Sequence, residues 1–161
     1  ELAKRLAGTS IDLLINNAGI LRGDHIDAPN FDGIAEQFAV NAMAPLRVTT
    51  TLLPLLSKGA KVAIVTSRMG SIADNGSGGY YGYRMSKGAL NVAGKSLSID
   101  LRERGVAVAL LHPGFVRTGM TGGAGDIAPA TAAAQLIERI DALNLSNSGQ
   151  FWHAKGEVLP W

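Results

Sequence analysis

The sequence predicts an α/β fold, a doubly wound parallel sheet, on three observations. Three runs of strand length, Ile11-Asp-Leu-Leu-Ile15, Lys61-Val-Ala-Ile-Val-Thr66 and Val106-Ala-Val-Ala-Leu-Leu111, are nearly continuous in apolar residues rather than alternating. That is the pattern of strands covered on both faces. Each run gives way to small or turn-forming residues, and stretches of helical periodicity separate the runs, as in a sheet wound by crossover helices.

Composition narrows the function classes. At 161 residues with 47% hydrophobic content, the chain reads as a single domain, residues 1–161, with enough apolar surface to form a core. A net charge of +2 with dispersed Lys and Arg gives no basic stripe for nucleic acid. No apolar run approaches the roughly 20 residues of a membrane span, and no signal peptide is evident. The chain has no cysteine, which excludes disulfides and thiolate metal sites. No metal site is expected. The expectation is a globular, cytoplasmic protein acting on a small molecule.

In chain order, Glu1 to Gly8 reads as the last turns of a helix with a glycine stop. Ile11–Ile15 suits a buried parallel strand and leads into Asn16-Asn17-Ala18-Gly19, where small residues would let a flat ligand reach the backbone; the tetrapeptide reads equally as an ordinary Asn/Gly turn. Leu21 to Asn30 is a polar loop in which His25 reads as a solvated surface residue. From Phe31 to about Ser57 the periodicity is helical, bent by Pro45 and Pro54. Asn41 lies four residues before Pro45, where freed backbone and side-chain groups could hold water, although an Asn in a helix is usually a surface residue.

The run Lys61–Thr66 is the next strand, and a loop rich in Gly, Ser, Asp and Asn follows it. A helix starts near Tyr80 and continues through Leu101, with small residues at Gly88, Ala89, Ala93 and Gly94 that permit close packing on the sheet or on another helix. Val106–Leu111 is the third strand. His112, Pro113 and Gly114 end it, leaving backbone exposed at the ligand edge or forming a plain strand-ending turn; His112 reads as packed rather than as a base. Gly119 to Asp126 is flexible by composition, as a substrate lid would be and as a plain loop would be. Pro129 to about Leu143 is helical, and Gln150-Phe-Trp-His153 is a short last strand. Trp152, His153 and Trp161 read as core or edge packing before pocket walls.

Tyr83 and Lys87 are the candidate pair for chemistry, although by itself such a pair reads first as an exposed tyrosine and a solvated lysine on an amphipathic helix. Residues i and i+4 share a helix face, so the ammonium can approach the phenol and lower its pKa toward a range useful for proton transfer. Ser67, at the mouth of the preceding strand, can hold a carbonyl or alcohol oxygen beside Tyr83. Thr66 and Ser71 are rival hydroxyls. Tyr80 and Tyr81 are rival phenols that lack a lysine four residues on.

At these residues the chain resembles the short-chain dehydrogenase/reductase family, whose Tyr-x-x-x-Lys motif is matched by Tyr83-Arg-Met-Ser-Lys87. Three further pieces match in order: Asn16-Asn-Ala-Gly19, a serine at a strand end, and Pro113-Gly-Phe-Val-Arg-Thr118. The Ser-x-x-Gly-Ser-Ile loop and the Gly-x-Phe-Trp ending are similar to the C-factor and Sniffer-type carbonyl-reductase branch. The resemblance implies a Rossmann-like fold and an NADP or NAD cofactor. It implies that Asn16, Ala18, Gly19, Pro113, Gly114, Val116 and Thr118 are cofactor-side residues, with Val116 backbone at the nicotinamide carboxamide and Thr118 at the pyrophosphate. It further implies that Tyr83 transfers a proton, that Lys87 assists it and binds the nicotinamide ribose, that Ser67 orients the substrate, and that Asn41 supports a water relay. Helix pairing into a homo-oligomer is also implied, although core packing alone accounts for the small residues.

No Thr-Gly-x-x-x-Gly-x-Gly loop precedes Ile11, and the segment that selects between NAD and NADP is absent from the sequence. The expectation is therefore an N-terminally truncated sheet, the C-terminal part of a dinucleotide-binding oxidoreductase domain, with an exposed strand edge. The function expected is carbonyl–alcohol interconversion. The alternative is a non-catalytic relative that binds a protein partner or signals. A hydrolase built on Ser67 lacks the Gly-x-Ser-x-Gly elbow.

Overall fold

The computed structural model describes residues 2–161, and Glu1, which the helical reading included, lies outside the described residues. A short helix α1 (Leu2–Arg5) precedes β1 (Ile11–Asn16). Then come α2 (Phe31–Gln37), a π-helical segment at Phe38–Met43, α3 (Ala44–Leu52) and β2 (Leu56–Val65). Helix α4 (Tyr81–Asp100), β3 (Ala107–His112), α5 (Pro129–Ala142) and β4 (Phe151–His153) complete the order. The four strands form one parallel sheet in the order β1-β2-β3-β4. The expected α/β parallel sheet is what the chain forms. Among the described residues, no helix is long and apolar enough to cross a membrane.

The core lies on both sides of β2 and β3. Val62, Ile64 and Val108 pack on one face with Leu90 and Leu97 of α4, and Ala63, Ala109 and Leu111 pack on the other with Ile140 of α5. Burial of Val62–Ile64 and of Ala107–Leu111 explains why these parts of β2 and β3 read as continuous apolar runs. Gly94 lets α4 approach the sheet, since a Cβ there would sit 2.7 Å from Leu110 Cδ2.

Two strand readings need correction. β1 is parallel but only partly buried: it is an edge strand with Leu13 43% and Ile15 47% exposed, because among the described residues no strand pairs with its outer side, while Leu14 packs on the core. This is the exposed edge expected from the sequence. β2 begins at Leu56 rather than Lys61, so the preceding helical stretch is shorter than the periodicity suggested. Its first residues, Ser57, Lys58 and Gly59, are polar or small and partly solvated, and the register with β1 shifts between Ile11 and Leu13. Polar residues at the solvated start of a strand carry no apolar signal.

The segment Gly119–Asp126 is folded into a defined turn. Thr121 Oγ1 donates to the Val116 carbonyl, Thr118 N donates to Thr121 Oγ1, and Arg117 N donates to Ile127 O.

The loop after β2 packs directly against α4. A Cβ on Gly70 would lie 2.7 Å from the Lys87 carbonyl carbon and 2.8 Å from Gly88 N, both of them helix backbone that cannot rotate away. Gly70→Ala should therefore lower stability by about 1–3 kcal/mol, read as a reduced urea midpoint at unchanged slope.

Candidate functional site

Parallel strands bring the ends of β1, β2 and β3 to one edge of the sheet, and α4, packed on one face, brings its first turns to that edge. Tyr80, whose backbone is left-handed (φ 51°), precedes α4 as its N-cap residue, and the first amides of the helix are capped from far away in the chain. The Asp24 carboxylate accepts from Tyr81 N at 2.6 Å and from Gly82 N at 2.7 Å. A carboxylate at a helix N-terminus satisfies orphan donors and complements the helix dipole. Gly82 is required here, because a Cβ would meet Gln37 Nε2 and Asp24 Oδ2.

The first two turns of α4 then aim Tyr83 and Lys87 at the end of β2. Tyr83 is 8% exposed and Lys87 4%. The Lys87 ammonium donates to the Val65 carbonyl at 3.0 Å and lies 5.9 Å from the centre of the Tyr83 ring. Ser67, also buried, follows Val65 by two residues and accepts from Met69 N through its hydroxyl. The rival hydroxyls have other partners: Thr66 Oγ1 donates to Asn91 Oδ1, and Ser71 Oγ accepts from Asp74 N. Tyr80 and Tyr81 are exposed.

Asn41 sits in the π-helical segment and is completely buried. Its Oδ1 accepts from Ile20 N at 2.8 Å, and its Nδ2 donates to Ile20 O and to Ser86 Oγ. Both amide hydrogens are thus used in tying the loop after β1 to α4. The Asn41 carbonyl cannot receive the ordinary i+4 helical bond, because Pro45 has no N–H. A π-bulge of this kind frees backbone groups and is frequent at functional sites. Gly19 packs into the same corner, where a Cβ would stand 3.4 Å from Asn41 Oδ1 and 3.5 Å from Lys87 Nζ. Asn16, at the end of β1, donates through Nδ2 to Thr49 Oγ1 and fixes that strand end against α3. Ala18 is exposed beside it.

Pro113, Gly114, Val116 and Thr118 run away from the end of β3. Gly114 has φ 89°, a left-handed conformation suited to glycine, and a Cβ there would contact Ile127 and His153. Val116 is held by a bridge to Ile127, and the Thr118 side chain caps the turn that follows. His112 is half-buried in edge-to-face contact with His153, ring centres 5.1 Å apart. Burial, with His153 and Arg68 nearby, pushes its imidazole down to about 4, so it is neutral at pH 7. Trp152 is buried in the core, Trp161 stacks on Phe151, and His153 meets His112 rather than lining a cavity.

Burial dominates the proton chemistry. It holds the Tyr83 phenol above its ordinary value, with the Ser67 hydroxyl acting in the opposite direction. It pushes the Lys87 ammonium down to about 8. The lowered phenol expected from a nearby ammonium is therefore not what this chain alone produces. Dehydration outweighs the attraction, because both groups are buried and the ammonium, 5.9 Å from the ring centre, makes its hydrogen bond to Val65 O. At pH 7 the pair consists of a neutral phenol and a cation.

Sequence reading missed Asp24, Gln37, Thr49 and Ser86, which position the predicted residues. Gln37 Oε1 accepts from Arg22 N, so with Asn41 two successive helical turns hold the loop between β1 and α2, and Gln37 Nε2 is fixed in turn by Gly33 O. Only Ser86, a polar residue on the Tyr83–Lys87 side of α4, left any signal in local spacing.

Comparison with known proteins gives a consistent result. A family model described as short chain dehydrogenase matches residues 1–128. The chain is 45% identical over 166 residues to a 1-hydroxy-2-glutathionyl-2-methyl-3-butene dehydrogenase of Rhodococcus sp. (strain AD45), covering 99% of this chain and 74% of that one. It is also 45% identical over 158 residues to C-signal of Myxococcus xanthus, covering 94% and 93% respectively. Among solved structures, NADPH-bound carbonyl reductase from chicken fatty liver superposes with a TM-score of 0.90 at 32% identity, covering 99% of this chain and 69% of that one. Carbonyl reductase Sniffer of D. melanogaster gives a TM-score of 0.91 at 31% identity, covering 99% and 70%.

The buried lysine predicts a pH dependence of stability. Below pH 8 Lys87 is protonated folded or unfolded, and the cost of burying its charge, about 3 kcal/mol for a fall from 10.5 to about 8, is fully present. Between about pH 8 and 10.5 the unfolded chain binds a proton that the folded chain has released, so stability rises with pH. Urea melts of the wild type and Lys87→Met across this range should show the wild type gaining about 3 kcal/mol relative to the variant.

Proposed function

Since the chain belongs to the short-chain dehydrogenase family, we propose that it interconverts a carbonyl and an alcohol on a small molecule, with Tyr83, Lys87, Ser67 and Asn41 as its working residues and NADP or NAD as cofactor. The family makes it an oxidoreductase. The observation that carries the finer reading is the convergence of a buried phenol, ammonium and serine hydroxyl at the ligand edge of the sheet.

The residues present fit the nicotinamide half of such a cofactor. Gly19 leaves open the corner beside Lys87 Nζ that a side chain would fill, and the Lys87 ammonium has donors beyond its single bond to Val65 O. The positive φ of Gly114 turns the backbone out of β3 at the same edge. Asn16, Ala18, Gly19, Pro113, Gly114, Val116 and Thr118 would hold it. The chicken carbonyl reductase with its bound NADPH supports NADP or NAD as the cofactor class.

When bound, the nicotinamide supplies or accepts the hydride. In the reducing direction Ser67 would orient the carbonyl oxygen, and Tyr83, neutral at pH 7, would give its phenolic proton to that oxygen. Lys87, a cation at pH 7, stabilises the phenolate left behind. Reprotonation from solvent runs past Asn41 and Lys87 through the corner at Gly19. Oxidation of the alcohol is the reverse.

A second reading has its own support. C-signal matches over nearly its full length, and β1 offers an exposed apolar edge to a partner. Under that reading the chain binds another protein and turns nothing over.

The test combines calorimetric binding of NADPH and NADH with turnover on a panel of aldehydes, ketones and alcohols. Saturable nucleotide binding is expected, with Tyr83→Phe losing at least about 100-fold in kcat while binding is retained. Near-normal turnover in Tyr83→Phe would remove the assignment. A folded chain that binds neither nucleotide would favour the partner-binding reading.

A further inference from the structure

Helix α4 presents three buried polar residues at successive turns: Tyr83, Lys87 and Asn91. Each meets the end of β2. Tyr83 faces Ser67, Lys87 Nζ donates to Val65 O at 3.0 Å, and Asn91 Oδ1 accepts from Thr66 Oγ1 at 2.6 Å. Three consecutive residues of the strand end are thus matched to one face of the helix.

Asn91 is anomalous in its surroundings. It is 3% exposed, next to Leu90 in the core, and its Nδ2 has no partner among the described residues. A buried amide donor left unpaired lowers stability, and an apolar residue would avoid the loss. What the amide does provide is the anchor for Thr66. That residue lies between the carbonyl that holds Lys87 and the hydroxyl beside Tyr83, and its own N–H donates to Leu111 O of β3. Free rotation of the peptides on either side of Thr66 would move both neighbours together.

We infer that Asn91 and Thr66 form a positioning pair, which fixes the end of β2 so that Val65 presents its carbonyl to Lys87 and Ser67 its hydroxyl to Tyr83. The pair touches neither substrate nor cofactor and acts through its neighbours. The inference rests on the roles of Ser67, Tyr83 and Lys87 given above. Its measurement needs no turnover, so it is decided separately from them.

The experiment is competitive acylation of the full chain with acetic anhydride across pH, with the reactivity of Lys87 read by mass spectrometry against exposed Lys58. Burial holds the Lys87 titration low, and a loosened strand end admits water to Nζ. In Thr66→Val, which keeps side-chain volume, the Lys87 midpoint should rise by about half a pH unit or more. Asn91→Ala should give the same rise, and the double variant no more than either alone. Thr66→Ser, which keeps the hydroxyl, should titrate as the wild type. Should Asn91→Ala not fold, the Thr66→Val and Thr66→Ser comparison alone decides. An unchanged Lys87 midpoint in Thr66→Val, or equal shifts in Thr66→Val and Thr66→Ser, would overturn the inference and leave the pair a packing contact.

Discussion

The bond from the Lys87 ammonium to the Val65 carbonyl is the contact on which the site turns. A lysine that is 4% exposed on a helix packed against a hydrophobic sheet is costly to keep charged. It is tolerated because the strand ends there. Pairing of β2 with β1 ends at Ile64, while Thr66 N still bonds to β3, so the Val65 carbonyl lies past the last pair with β1 and accepts from Lys87. The lysine therefore reaches an acceptor in a place that also admits ligands. Moving the strand end by one residue would turn the next carbonyl to the opposite side.

Everything around that contact serves to hold α4 at one height against the sheet. Asp24 caps the first amides of the helix, Asn41 and Ser86 tie its second turn to the loop after β1, and Gly70 and Gly94 allow backbone-close approach from the Ser67 loop and from β3. Each device joins segments far apart in the chain. The site is thus rigid through long-range contacts, even though its best-known residues lie within one stretch of sequence.

The same low-dielectric setting fixes the proton inventory. Burial raises the phenol and lowers the ammonium, so it opposes charge on both partners, and the residues alone present a proton donor rather than a ready phenolate. The helix spacing brought the two groups near one another. It did not set their ionisation, which depends on how much water the surrounding sheet and loops exclude.

The sequence by itself determined the α/β class, because buried parallel strand segments must be apolar, as Val62–Val65 of β2 and Ala107–Leu111 of β3 are. It determined the Tyr83–Lys87 face, since four residues are about one helical turn, and the turn residues at each strand end. Tertiary structure alone decided that Thr66 and not Ser67 is engaged by Asn91, and that Asp24 and Gln37 reach across the fold. Those facts depend on which segments pack together. A carboxylate 57 residues before its helix leaves no periodic trace in a one-dimensional pattern.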